Sequence, residues 1–128
     1  MIKIGVITAN GTDHSYKLTE LINRLVSQFG MAFEISTTGI TPADGYIKKL
    51  TLEVGASYKE FNPRCTPYNL YSAMPVNYYG KNYHPTHFIE NIRRMCWHVD
   101  RLILVGGVTQ QKSLETSMNK MKKKVLVW

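Results

Sequence analysis

A chain of 128 residues suits one domain and can bury roughly two-thirds of its unfolded surface, enough for a true core. Its composition, 44% hydrophobic and 20% charged, is that of an ordinary globular protein, and no apolar run approaches the ~20 residues of a transmembrane helix. The formal charge of +7 favours anionic partners, whether nucleotides, nucleic acid or an acidic protein surface.

Ile2 to Thr8 is an apolar, β-prone run with no basic segment ahead of it, so it reads as a first strand and not as a signal peptide. Asn10-Gly11 turns the chain, and Thr12 or Asp13 can cap the helix that follows. In that helix Leu18, Leu21, Ile22, Leu25, Val26 and Phe29 recur at steps of three and four, marking one buried face, and Gly30 ends it. Ala32 to Ile35 predicts a second, short strand. Thr41 then suits an N-cap, Pro42 the first helical position and Asp44 the first turn. Ile47, Leu50 and Val54 face inward, and Gly55 closes the helix.

Ser57 to Phe61 predicts a third strand. Residues 62–84 show no period and hold Tyr68, Tyr71, Tyr78, Tyr79 and Tyr83 among three prolines; a loop this long in a small domain is usually a lid or binding loop. A third helix starts near Pro85-Thr86, with Phe88, Ile92, Met95 and Val99 on one side. "RLILV" (101–105) is a buried strand, "GGVTQQK" a loop, Ser113 a cap for a fourth helix, and "KVLVW" the last strand. This alternation predicts a single α/β domain: a Rossmann-like three-layer sandwich around a parallel sheet of about five strands.

Ligands of such sheets bind beyond the carboxyl ends of the strands. Three loops have that position: 9–13, 36–41 and 106–112. Small residues let main-chain N–H groups approach an anion, and helix starts add unpaired N–H groups. The candidate ligand contacts are therefore Asn10, Thr12 and Asp13 in the first loop, and Ser36, Thr37, Thr38 and Gly39 with Asp44 in the second. The third gives Gly106, Gly107 and Thr109, adjoining Ser113. Each also has a purely structural reading, since turns and caps use the same residues. Tyr78, Tyr79 and Tyr83 are candidates for stacking on a base. There is no complete Walker A sequence and no GxGxxG fingerprint. His84 and His87 lack a third ligand, so neither a metal nor a cofactor is expected. Cys65 and Cys96 are too few for a disulfide framework, and reduced thiols in a cytoplasmic protein are the expectation.

The stretches "IGVITANGTDHSYKL", "STTGITPADG" and "VDRLILVGGVTQQKSLE", with the closing "KKKVLVW", together resemble the SLOG superfamily. That superfamily includes DprA-type DNA-processing proteins, LONELY GUY phosphoribohydrolases and small nucleotide-binding domains. The resemblance implies a nucleotide-binding Rossmannoid fold and, as in related domains, a homo-oligomer. The chain departs from the hydrolases after the fourth strand. Gly106-Gly107-Val108-Thr109 lacks their proline and later glycine, Glu115 falls one position late, and Asn91-Ile92-Arg93-Arg94 does not match their arginine-lysine pair.

The resulting expectation is a sensor or binder of a nucleotide or nucleotide-derived molecule, including signalling nucleotides, at the carboxyl edge of the sheet. Two alternatives come from other classes. An enzyme cleaving N-glycosidic bonds, like phosphoribohydrolases or deoxyribosyltransferases, would use Glu90 or Glu115 as its working carboxylate. A module for single-stranded nucleic acid would use Arg93, Arg94 and the lysines between Lys120 and Lys124 on phosphates.

Overall fold

The computed structural model describes residues 1–128. Strand β1 (Ile2–Thr8) leads into helix α1 (Ser15–Phe29), β2 (Phe33–Thr37) into α2 (Pro42–Glu53), and β3 (Ser57–Glu60) into the long loop. Then follow α3 (Pro85–His98), β4 (Arg101–Val105), α4 (Gln111–Lys120) and β5 (Lys124–Val127). All strand pairings are parallel, in the order β3-β2-β1-β4-β5. This is the expected Rossmann-like α/β architecture. Its strand order reverses between β1 and β4, and that switch point is where the strand ends part to leave a crevice. No helix is long and apolar enough to cross a membrane.

The sheet is covered on both faces because its strands are apolar on both. Ile4, Val6, Phe33, Ile35 and Ile103 pack with the inner face of α1 and with Ile47 of α2. On the other face Leu102 and Leu104 meet Ile92, Met95 and Val99 of the α3 region and Leu114 and Met118 of α4. Phe33 and Ile47 are completely buried, so truncating either to alanine would cost about 2–5 kcal/mol.

Local signals placed several boundaries correctly. Gly30 ends α1, donating its N–H to the Val26 carbonyl. Thr41 caps α2 by accepting the Asp44 N–H at 3.0 Å, with Pro42 at the first position. Pro85 opens α3 behind His84, whose ring accepts from the Thr86 N–H.

Three boundaries differ from expectation. Strand β2 runs on through Ser36 and Thr37, which the sequence assigns to a loop, because Gly5 of β1 and Glu60 of β3 stand opposite them in the ladder. Those partners are remote in sequence. Helix α1 begins later than Thr12, at Ser15, whose N–H donates to the Asp13 carboxylate at 2.9 Å. Ser113 lies inside α4 and does not cap it; Gln110 holds that position without a side-chain cap bond. The basic run is also partly structural. Lys123 Nζ donates to the Cys96 and Trp97 carbonyls at 2.9 and 2.7 Å, satisfying the end of α3 where a cation is favoured.

Candidate functional site

At the switch point the ends of β1 and β4 and the start of α2 enclose a cleft of about 270 Å³. Asn10 comes from the first loop; Thr38, Thr41 and Asp44 from the second; Gly107, Thr109 and Gln110 from the third. Phe88 and Ile92 of α3 form an apolar side. The three loops therefore meet at one hollow. Its lining holds no lysine or arginine, so an anion there would depend on main-chain N–H groups and hydroxyls.

The loops differ in how many polar groups they leave open. In the second, Thr37 Oγ1 pairs with the Tyr58 hydroxyl at 2.7 Å and accepts the Gly39 N–H at 3.1 Å. Thr38 donates its hydroxyl to Asp44 Oδ2 at 2.9 Å, and the Ile40 N–H reaches the same oxygen at 3.3 Å. Thr37 is fully buried and does not line the cleft, and the same holds for Ser36, whose hydroxyl has no partner. Gly39 closes the loop at φ +72°, and a Cβ there would sit 2.7 Å from the Glu60 carboxyl carbon.

Asp44 is the sole acid of the cleft lining. Burial pushes its carboxyl above the usual range, against the opposing hydrogen bonds from Thr38, Thr41 and Ile40. Its Oδ1 makes no hydrogen bond to the protein.

The third loop is the open one. Gly106 and Gly107 both take left-handed backbone angles, φ +83° and +82°, which glycine adopts without a Cβ penalty. The His14 ring packs so closely on Gly106 that an added Cβ would lie 2.3 Å from its Cε1. The main-chain N–H groups of Gly107, Val108, Thr109 and Gln110 have no acceptor in the protein. Thr109 makes one bond only, to the Gln110 side chain at 3.1 Å.

The Thr8 hydroxyl at the end of β1 also lacks a partner. Thr8 is 7% exposed and lines the cleft. A buried hydroxyl without a hydrogen bond is costly in a folded protein.

Other expected contacts lie elsewhere. Thr12 and Asp13 border a separate hollow of about 300 Å³ with His14, Pro42 and Tyr46. Hydrogen bonding to Ser15 holds Asp13 below the usual carboxylate range. Glu90 is exposed on α3 and Glu115 pairs with Gln111 on α4 at 3.0 Å; neither lines the cleft. The tyrosines hold the loop onto the domain. Tyr78 donates its hydroxyl to Asn91 at 2.8 Å, with Arg64 stacked on its ring, and Tyr79 donates to Asn62 at 3.1 Å. Tyr83 packs on His87. None of the three lines the cleft. No group of three or more His, Cys, Asp or Glu side chains is placed to hold a metal ion.

Sequence reasoning passed over Glu60 and His14. Glu60, 3% exposed, accepts from Asn62 at 2.8 Å, Asn69 at 2.7 Å and Tyr58 at 3.0 Å, with the Lys48 ammonium at 3.3 Å. Burial alone would raise its carboxyl, but these donors and the Lys48 charge outweigh it and hold it below the ordinary value. The alternation Tyr58-Lys59-Glu60 along β3, buried-exposed-buried, was the available signal. For His14 there was none, because its contact with Gly106 joins segments distant in sequence.

No family model matches the chain, and no curated protein matches its sequence. Among solved structures it is similar to TM1055, with a TM-score of 0.70 and 16% identity over 98% of this chain and 72% of that one. It is also similar to DNA processing protein A from Helicobacter pylori, described for its single-stranded DNA binding mode, with a TM-score of 0.68 and 16% identity. That match covers 98% of this chain and 64% of the other, so the chain spans less than two-thirds of that protein's length. The likeness shows the class of fold: a Rossmann-like α/β domain built as in those two proteins.

Proposed function

We propose that the protein binds a nucleotide or a nucleotide-derived molecule in the switch-point cleft, as a binder or sensor. The observation that carries this reading is the meeting of three loops at one hollow where polar groups are left open. Four consecutive amides of residues 107–110 and the buried Thr8 hydroxyl have no protein partner. Amides in such a loop, next to the start of α4, suit a phosphate. The free Oδ1 of Asp44 suits a donor such as a ribose hydroxyl or a base amino group. Folds similar to a protein described for DNA binding agree with a nucleotide-type ligand.

Capture is favoured over turnover. The cleft's acid is already engaged through Oδ2, and the two glutamates considered for catalysis stand outside it. Calorimetric titration with nucleoside monophosphates, cyclic nucleotides and ADP-ribose derivatives tests the reading. Saturable binding weakened by Thr109→Ala is expected, whereas silence across the panel would remove it. Free base released on incubation would show turnover.

A further inference from the structure

A second groove, of about 330 Å³, runs between α3 and α4, and Phe88, Ile92 and Gln110 line both this groove and the cleft. Its floor is apolar: Ile92, Cys96 and Leu114 are all buried. Its rim carries Trp97, 63% exposed, with the cations Arg93 and Lys120 and the hydroxyls of Ser113 and Ser117. No acidic residue lines it. A tryptophan left this exposed beside an apolar groove marks a contact surface. Lys123 anchors the backbone beneath it, donating to the Trp97 carbonyl at 2.7 Å.

We propose that the α3–α4 groove is a second nucleotide subsite, taking a nucleotide joined by a phosphodiester to the one in the cleft. This rests on the cleft reading given above. The Trp97 ring offers a flat face for a base, Arg93 and Lys120 offer charge for the phosphate, and Ser113 and Ser117 offer hydrogen bonds. Size agrees. The cleft alone falls just below the roughly 300–1,000 Å³ range of small-molecule sites and the groove at its small end, and the two joined fall well inside it.

Charge argues against the main rival, a second copy of this chain. A two-fold contact through this groove would set Arg93 and Lys120 near their own copies, with no acid of the lining between them. The shared wall argues for one ligand spanning both hollows. A linear dinucleotide and the end of a single strand have this chemistry alike.

Calorimetry on the full chain with a nucleoside monophosphate, a linear dinucleotide and a short oligothymidylate decides the matter. The dinucleotide is expected to bind about tenfold tighter than the monophosphate, the worth of one stacked base. Trp97→Ala should abolish that gain while leaving monophosphate affinity unchanged, and Trp97→Phe should keep most of it. Combined Arg93→Ala and Lys120→Ala should weaken dinucleotide binding and flatten its dependence on salt. A further gain with the oligothymidylate identifies a strand as the source; none beyond the dinucleotide identifies the small molecule.

If the monophosphate binds and the dinucleotide gains nothing, the second subsite is wrong and the cleft reading stands. If none of the three ligands binds, both fall. A Trp97→Ala variant that changes the sedimentation coefficient and not the affinity makes the groove a subunit contact and overturns the proposal.

Discussion

The end of β2 with its turn and the turn after β4 use similar residues, STTGIT and GGVTQQ, and the protein treats them differently. In the first, most hydroxyls are consumed internally, Thr37 by Tyr58 and Gly39, Thr38 by Asp44 and Thr41 by the start of α2, with the buried Ser36 hydroxyl the exception. In the second, four amides in succession have no acceptor and the one threonine bonds only its neighbour. Composition marks both as turns at the sheet edge. Hydrogen-bond satisfaction separates a wall that is largely built from one whose amides, at the exposed Gly107, Thr109 and Gln110, stay open to solvent or to a ligand.

The largest test strikes the satisfied side. Glu60→Ala leaves Lys48, Asn62, Asn69 and Tyr58 facing a missing carboxylate, and about 3–5 kcal/mol should be lost in urea unfolding. Proteolysis should then cut within residues 62–84, and an intact loop would contradict the anchoring role. Next comes the open side. Gly106→Ala meets both a left-handed angle and the His14 ring, and should cost about 2–4 kcal/mol along with ligand binding.

Thr8→Val sharpens the contrast, since it deletes a buried hydroxyl that nothing in the protein uses. Stability should rise by about 1 kcal/mol while nucleotide affinity falls by a similar amount; a fall in stability would mean the hydroxyl was satisfied after all. The smallest effect is that of Asp44→Asn, under about 1 kcal/mol of stabilisation near neutral pH. Folding raises the Asp44 carboxyl above 3.8, so its contribution is fullest at lower pH and is lost as pH rises through the folded value. The advantage of the variant should therefore grow with pH above about 4 and then level off.

Glu60 runs the other way. Its lowered folded value means stability present above 4.5 and lost as pH falls through that lowered value. Acid unfolding followed by tyrosine fluorescence should show this component, and Glu60→Gln should remove it.

Much of the fold was legible because it is written locally. The apolar period of α1, the Thr41-Pro42 start of α2 and the continuous run of β4 each act within a few residues. The end of β2 was not legible, since Ser36 and Thr37 become strand only through partners on β1 and β3. The candidate site divides the same way. Asn10, Thr38, Asp44, Gly107 and Thr109 do share the cleft lining, while Thr12, Asp13 and Ser113 do not. The tyrosines of the long loop looked like base platforms, yet Tyr78 and Tyr79 spend their hydroxyls on Asn91 and Asn62.

By itself the sequence determined the alternation of strands and helices, the faces they bury and the glycine- and threonine-rich turns at one sheet edge, since periodicity, capping and backbone freedom are properties of neighbouring residues. Tertiary structure alone decided which turns keep free donors, that Glu60 anchors the tyrosine loop, that His14 covers Gly106 and that the cleft shares a wall with the Trp97 groove. Those are matters of distance between segments far apart along the chain, and hydrogen bonding and desolvation depend on which atoms finally meet.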